Sequence, residues 1–308
     1  MTADPRISPR RHPKFALPPG TCDAHCHVFG PASKFPYAPT RSYTPEDAPK
    51  EALEALHAQL GVARAVIVQA SCHGTDNRAM LDCLRSIPAR YRGVAIVDDG
   101  FSDAQYRELH EAGVRGVRFN FMPHLGASAD LEMVRRVIDC IRDLGWHVVV
   151  HIHGGVIIPM SEWLQKLPIP FVIDHMGRVS AKDGVNQPPF RALLELLKNE
   201  RCWIKVCGAE RISMPPYREA ILIALALVKA GGERVLWGPI FRIPMPRMMR
   251  TRPSSWSSFH SLHQTRPIGS VSWSIIQRGS TGSREIERRP IAAFRSHALR
   301  GRSHRVNE

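Results

Sequence analysis

The stretch Arg64-Ala65-Val66-Ile67-Val68-Gln69-Ala70 (residues 64–70) decides the fold class, because it holds four apolar residues in a row between Arg64 and Gln69. So short an apolar run is typical of a strand that is buried on both faces of a parallel sheet. The run Val148-Val149-Val150 repeats the pattern. Outward from these two runs, short apolar segments alternate along the chain with segments of helical periodicity.

Eight strands are predicted, and seven helical segments separate them. The strands are Thr21–His27, Arg64–Ala70, Gly93–Asp98, Gly116–Phe121, His147–His153, Pro170–His175, Cys202–Cys207 and Arg234–Gly238. The helical segments are Pro49–Leu60, Asn77–Ile87, Asp103–Ala112, Ala129–Leu144, Pro159–Lys166, Pro189–Asn199 and Pro216–Ala230. This alternation over roughly 220 residues predicts an α/β fold, a (β/α)8 TIM barrel. A doubly wound open sheet is the alternative, but no Gly-x-Gly-x-x-Gly motif follows the first strand.

Composition divides the 308 residues into three parts. Residues 1–20, rich in Pro and Arg, are predicted to form a flexible arm, and residues 21–238 hold the barrel. Residues 239–308 form an Arg/Ser-rich tail that we expect to be disordered. The tail contains 13 Arg, no Lys, no Asp and three Glu, and therefore supplies +10 of the net charge of +14. Because it lacks interleaved aromatic residues or a folded motif, we do not expect nucleic acid as a partner.

The cysteines and the apolar runs bear on where the protein works. An odd number of cysteines, seven, suits free thiols in a reducing cytoplasm better than a disulfide framework. No apolar run reaches the ~18–20 residues that cross a bilayer. The first residues lack the apolar core of a secretory signal. We therefore expect a cytoplasmic protein without a membrane partner.

Polar residues recur where the predicted strands end. In a TIM barrel the catalytic groups lie at the C-terminal ends of the strands, all on one face. These side chains should therefore meet, and leaving so many unpaired in a core would cost a few kcal/mol each. They are His25, His27, Gln69, Ser71, His73, Arg118, Asn120, His151, His153, Asp174, His175, Lys205 and Arg211.

The histidines among them could form a metal centre. His25 and His27, two positions apart on one strand, point to the same face. Together with His151 and His175 they offer up to four nitrogen donors, and three histidines with one open position make a hydrolytic zinc centre. The alternative is that some of them are hydrogen-bonded core histidines.

The fifth strand leaves its inward histidine open. His147, His151 and His153 share one face by strand alternation, so only their depth along the strand separates them. The sequence alone does not choose among the three.

Two arginines are candidate anion ligands. A guanidinium holds a carboxylate through two hydrogen bonds, so Arg118 and Arg211 in one pocket predict a dicarboxylate. The alternatives are an inter-strand salt bridge for Arg118 and a solvated side chain for Arg211. Tyr43 and Ser71 could add neutral hydrogen bonds to the same substrate.

The chain resembles the amidohydrolase superfamily, and within it the 2-pyrone-4,6-dicarboxylate lactonases, over about residues 14–238. The similarity lies in the runs DAHCHVFGP (23–31), VIVQASCHGTDN (66–77), GVRFNF (116–121), GWHVV (145–149), VIDHMGR (172–178) and RVLWG (234–238). These TIM-barrel hydrolases open a lactone ring in the breakdown of lignin-derived aromatic compounds. The resemblance implies a small carboxylated lactone as the substrate; the sequence does not indicate the oligomeric state.

The resemblance also implies roles for individual residues. His25, His27 and His175 would polarise the lactone carbonyl. The positions that match substrate-binding ones are Tyr43, Ser71, Arg118, His124 and Arg211. His124 stands where the lactonases carry a second Arg, which weakens the case for that particular dicarboxylate.

The resemblance leaves the metal question open. His151 stands where the lactonases carry a Tyr. A true lactonase would need no cofactor, whereas many relatives bind zinc through a fifth-strand histidine. If a divalent metal such as zinc is bound, the expected ligands are His25, His27, His151 and His175. The alternative functions are a metal-dependent amidohydrolase acting on another lactone or carboxylic acid, and a non-catalytic dicarboxylate binder.

The sequence departs from the family pattern after Gly238. The family pattern is Thr-Asp-Trp/Phe-Pro-His-Pro-Asn, whereas residues 239–246 are Pro-Ile-Phe-Arg-Ile-Pro-Met-Pro. Joining the last base of each codon to the first two of the next can restore Thr-Asp-Phe-Pro-His-Pro-Asn-Ala, which indicates a frameshift in the gene. The Asp that the resemblance implies as general base is absent. We therefore expect a disrupted eighth strand and helix, with reduced activity and stability.

Overall fold

A computed structural model describes residues 17–122 and 129–239 of the chain. Most of the predicted arm, the tail from residue 240 onward and His124 lie outside the described residues. The three-part division of the chain therefore stays a prediction.

Eight parallel strands form one sheet in the order of the chain. They are β1 (Cys22–Cys26), β2 (Arg64–Val68), β3 (Tyr91–Ala95), β4 (Val114–Asn120), β5 (His147–His151), β6 (Phe171–Ile173), β7 (Cys202–Val206) and β8 (Val235–Trp237). The end of β8 lies against β1, since a Cβ placed on Gly238 would come within 2.8 Å of the His25 backbone nitrogen. The sheet thus curls round on itself into a nearly closed cylinder, and the predicted (β/α)8 barrel is confirmed. The eighth strand, which was expected to be disrupted, is formed as β8 and pairs with β7.

Within the described residues, seven α-helices connect the strands. They are α1 (Lys50–Leu60), α2 (Arg78–Ser86), α3 (Asp103–Glu111), α4 (Leu131–Ile141), α5 (Gly154–Gln165), α6 (Pro188–Leu196) and α7 (Arg218–Gly231). Each corresponds to a predicted segment, but α5 begins at Gly154 and contains Pro159 in its interior. The His153 side chain caps this earlier start by accepting the Gly155 N–H. The eighth helix of the family pattern falls in residues outside those described.

Helix α4 shows why such segments become helices. Val134, Val137, Ile138 and Ile141 are buried at the spacing of one helical face. The Asp130 carboxylate accepts backbone N–H groups of the first turn, which would otherwise lack partners. Burial of the apolar face and this cap together hold the helix against the barrel.

The apolar core has two layers. The inner cluster takes residues from six strands and none from a helix, so it fills the barrel: Cys22, Ala24, Val66, Val68, Val94, Val149, Val172 and Leu236. The larger cluster joins the outward faces of the strands to the helices. Polar residues at the strand ends therefore sit above an apolar floor.

Strand β1 contains a bulge that the alternation pattern did not predict. Asp23 pairs with Ala65 and Cys26 with Ile67, so two residues of β1, Ala24 and His25, stand opposite one residue of β2. The His25 N–H is donated to Asp23 Oδ1 at 2.8 Å. Bulges re-aim side chains near active sites, and this one lies directly below the His25–His27 pair.

All seven cysteines are free thiols, and six of them are buried. Cys22 and Cys26 of β1 are among the buried ones. Among the described residues, none of the helices combines the length and apolar character that a membrane crossing requires.

Candidate active site

Four imidazoles form a continuous row at the C-terminal end of the barrel. The ring centroids of His27 and His25 are 4.9 Å apart, those of His25 and His175 4.6 Å, and those of His175 and His151 5.1 Å. β1, the turn after β6 and the end of β5 supply them. Residues distant in sequence therefore meet within reach of one small molecule.

A buried ionic network lies beneath this row. Asp174 is fully buried. Its Oδ1 lies 3.0 Å from Lys205 Nζ and 3.3 Å from His25 Nδ1, and Arg118 Nε donates to Oδ2 at 2.8 Å. Burial alone would raise the pKa of Asp174, but Lys205, His25 and Arg118 outweigh it and hold the pKa well below the usual range. Asp174 is therefore an ionised anchor for its three partners.

The imidazoles are held neutral. Burial is the main cause that lowers the pKa of His25 to about 4, and the Lys205 charge adds to it. Burial likewise holds the pKa values of His27, His151 and His175 well below the ordinary value for histidine. Each ring therefore presents one N–H donor and one free nitrogen at neutral pH.

Hydrogen bonds indicate the tautomer of two rings. His27 Nδ1 lies 2.7 Å from the Val68 carbonyl oxygen, which can only accept, so Nδ1 carries the proton and the unprotonated Nε2 faces His25 Nε2 at 3.2 Å. His151 Nδ1 lies 2.9 Å from Asn120 Oδ1, and its Nε2 is buried with no hydrogen-bond partner among the described residues. Both rings thus keep an unprotonated nitrogen.

A left-handed turn carries His175. The φ angles of His175, Met176, Gly177 and Arg178 are +53°, +54°, +62° and +46°. For a non-glycine residue such a backbone costs of order 1–3 kcal/mol and is concentrated at functional sites. The turn places His175 beside the barrel axis, where its Nδ1 lies 3.3 Å from Cys207 Sγ.

Positive charge collects beside the imidazoles. Burial lowers the pKa of Arg211, whose Nε has no hydrogen-bond partner among the described residues and lies 3.6 Å from Glu210 Oε1. Burial, and then the neighbouring Arg211, lower the pKa of Arg178 to about 10. Two crowded guanidinium groups with little neutralising charge are a ready site for an anion.

The remaining predicted substrate-binding residues lie at the same end of the barrel. Ser71 Oγ accepts from Asn120 Nδ2 at 3.3 Å. Tyr43 packs against a small cluster that includes Cys72. Burial, and then Cys72, raise the pKa of Tyr43, so its hydroxyl remains a donor. The predicted role of His124 falls on a residue outside those described.

The structure separates the three histidines of the fifth strand. His147 begins β5 and His151 ends it, while His153 lies beyond the strand and caps α5. His151 is the one that joins the row of imidazoles. The sequence drew attention to Asp174, Lys205 and Asn120 as polar residues at strand ends, but assigned them no role.

The donor atoms fit a divalent metal in part. His25 Nε2 and His27 Nε2 are 3.2 Å apart, and two nitrogens on a tetrahedral zinc at about 2.05 Å would be separated by about 3.3 Å. Among the described residues, two groups of possible ligands have all their donor atoms within 4.8 Å of one another: His25–His175–Cys207 and Asp23–Cys26–His57. The four histidines are not among these groups, so their role as a common ligand set stays a prediction.

Comparison with known proteins places the chain in a family. The model of the family described as "Amidohydrolase" matches residues 22–239, which contain every strand of the barrel. The chain belongs to the amidohydrolase family. The resemblance predicted from the sequence is thereby confirmed.

This amidohydrolase has well-matched relatives. A 2-pyrone-4,6-dicarboxylate hydrolase of Comamonas testosteroni is 43% identical over 237 residues, which cover 73% of this chain and 78% of the relative. A 4-sulfomuconolactone hydrolase of Hydrogenophaga intermedia is 38% identical over 228 residues, with 73% and 75% covered. A solved structure from Pseudomonas putida, a proposed 2-pyrone-4,6-dicarboxylic acid hydrolase, superposes with a TM-score of 0.70 at 31% identity, covering 83% of this chain and 97% of that one.

Proposed function

We propose that this amidohydrolase is a hydrolase that opens the ring of a small carboxylated lactone, such as 2-pyrone-4,6-dicarboxylate, in the degradation of aromatic compounds. One observation carries the proposal: a row of neutral, buried imidazoles lies beside the Arg211 guanidinium, whose buried Nε has no hydrogen-bond partner among the described residues. The activities named for the two curated relatives support it. The free thiols support a cytoplasmic location.

The guanidinium groups bind the substrate's carboxylates in this proposal. Arg211 and Arg178 offer N–H donors to the substrate. Arg118 already donates its Nε–H to Asp174. A bidentate charge-assisted pair is about twice as strong as a neutral hydrogen bond. An uncharged lactone should therefore bind much more weakly than a dicarboxylate.

The imidazoles act on the ring ester. An N–H of His25 or His175, placed at the lactone carbonyl oxygen, stabilises the negative charge that develops there when water adds to the carbon. Because these rings are neutral and preorganised by Asp174, Lys205 and Cys207, they need little rearrangement during the reaction. The collapse of the adduct then breaks the ring C–O bond. One proton of the water ends on the leaving oxygen, which becomes an enol or alcohol, and the other is released to solvent as the new carboxylic acid ionises to a carboxylate.

Activation of the water is the weak step in this chain. The sequence contains no Asp after Gly238, so the general base implied by the family resemblance is missing. The free Nε2 of His151 is a buried acceptor that can orient a water, but its lowered pKa makes it a poor base. A missing general base costs typically about 10²–10⁴-fold in rate.

A divalent metal is compatible with this proposal. His25 and His27 would hold it through Nε2, with His27 oriented by its hydrogen bond to Val68. When bound, such an ion supplies Lewis acidity and lowers the pKa of a coordinated water. The roles of the guanidinium groups do not depend on it.

The test is a panel of lactones with and without added zinc. Release of protons should be measured for 2-pyrone-4,6-dicarboxylate, 4-sulfomuconolactone and an uncharged six-membered lactone, and loss of the pyrone absorbance for the first of them. We expect slow turnover of a charged lactone and none of the uncharged one. Calorimetric binding of the dicarboxylate without proton release would instead identify a binding protein. The absence of both binding and turnover would defeat the proposal.

A further inference from the structure

A chain of buried hydrogen bonds runs from outside the barrel to the backbone of His25. It starts at the Tyr91 hydroxyl, which lies 3.0 Å from His57 Nδ1, and continues from His57 Nε2 to Asp23 Oδ2 at 3.3 Å. Asp23 Oδ1 then accepts the His25 N–H at 2.8 Å. Tyr91, His57 and Asp23 are each at most 1% exposed.

The donors and acceptors along this chain are consistent throughout. The Asp23 carboxylate can only accept, so His57 Nε2 carries the proton and Nδ1 accepts from the Tyr91 hydroxyl. Burial raises the pKa of Tyr91, which keeps that hydroxyl protonated. The three groups lie on three elements, β3, α1 and β1.

The series of hydrogen bonds ends at the bulge, where the pairing of β1 with β2 shifts by one residue. The bulge opposes Ala24 and His25 to a single residue of β2 and takes the His25 N–H out of the ladder. Asp23 is the group that holds this freed amide. A shift of Asp23 would therefore move the His25 backbone and tilt its ring relative to His27 and His175.

We propose that His57, whose hydrogen-bond partners among the described residues are Tyr91 and Asp23, is a positioning residue that fixes the bulge and hence the ring of His25 for the reaction. The inference rests on the proposed function for its kinetic readout. It concerns the carboxylate and the helix behind the strand, and not the row of imidazoles itself.

The test uses the full chain and three variants. In His57→Leu the Asp23 carboxylate loses its orienting donor, and we expect kcat on the dicarboxylate lactone to fall about 10–100-fold, with KM within about threefold, because a displacement near 1 Å costs that much. His57→Gln keeps a donor and an acceptor and should recover kcat to within about threefold of the parent. Such rescue is not expected of a residue that only fills space.

The matched control is His110→Leu. His110 is also a helix histidine on the outside of the barrel; it accepts from Trp146 Nε1 at 3.0 Å, and its side chain has no hydrogen bond to β1 in the described part of the chain. The His110→Leu substitution should lower the free energy of unfolding but change kcat by no more than about twofold. Equal losses of kcat in the two Leu variants, or an unchanged kcat in folded His57→Leu, would overturn the proposal.

An activity-independent readout separates this proposal from the proposed function. If the chain hydrolyses no lactone, hydrogen exchange of the His25 amide still reports on the bulge. We expect exchange at least about tenfold faster in His57→Leu than in His110→Leu. Equal protection in both variants would refute the positioning role even if the enzyme is active.

Discussion

The ammonium group of Lys205 lies 3.0 Å from Asp174 Oδ1 in the centre of the barrel, and neither side chain is more than 3% exposed. Removal of one partner from a buried ion pair leaves an uncompensated charge and costs about 3–5 kcal/mol. Because Arg118 and His25 also contact Asp174, the loss here should lie at the lower end of that range. The pair therefore stabilises the barrel at the point where the active site is built.

The Lys205→Met variant tests that contribution. We expect a loss of about 3 kcal/mol in the free energy of unfolding, measured by chemical denaturation. Lys166→Met is the matched control, because Lys166 pairs with Glu162 on the surface, where both are more than 70% exposed. This variant should lose far less stability than Lys205→Met. Similar losses in both variants would mean that the buried pair is not special.

Removal of a guanidinium should weaken substrate binding. Arg211→Met and Arg178→Met are each expected to raise KM, or Kd, for a carboxylated lactone about 10-fold or more, because a hydrogen bond to a charged group contributes about 1.5–3 kcal/mol. The affinity of each variant for an uncharged lactone should equal that of the parent protein. Titration calorimetry with both ligands checks this, and parallel weakening of both would indicate general damage to the pocket.

Supplying an aspartate at position 240 should raise turnover. In the Ile240→Asp variant, and in a chain with the restored reading frame, we expect about 10²–10⁴-fold higher kcat, the usual contribution of a general base. The restored frame should exceed the single substitution, since it also returns the residues that follow. If both leave kcat where it is in the parent chain, the water is activated by another group.

Acid should destabilise the barrel through His147. Burial, and then the charge of Lys205, lower its pKa to about 4 in the folded protein, against 6.5 for an unperturbed histidine. Between these values the unfolded chain binds more protons, so stability is full above pH 6.5 and falls as the pH drops toward 4. The contribution is at most roughly 3 kcal/mol. In His147→Asn, unfolding curves across this range should show a shallower dependence on pH; an unchanged slope would contradict the assignment.

The fold was predictable because parallel barrels have strong local patterns. Runs such as Ala65–Val68 are buried on both faces, and their spacing with helical segments leaves few other architectures. The start of α5 was not predictable from Pro159. The helix begins five residues earlier, at Gly154, because the His153 side chain caps its first turn.

The candidate site was predictable in its residue types but not in its connections. Strand alternation placed His25 beside His27, although the bulge that adjusts them leaves no mark in the sequence. The left-handed turn at His175 had only Gly177 to indicate it. Ion pairing of Asp174 with Lys205 joins residues of different strands, and a single sequence carries no information on such pairing.

The contact between Gly238 and β1 bears on how the protein behaves in concentrated solution. In this nearly closed cylinder β1 and β8 lie against each other and shield their edges from a neighbouring molecule, whereas an open sheet exposes both edges. Since even one methyl group at Gly238 would collide with the His25 backbone, Gly238→Ala should separate β8 from β1 and open the barrel there. The expected sign is self-association, visible as light scattering that grows with protein concentration.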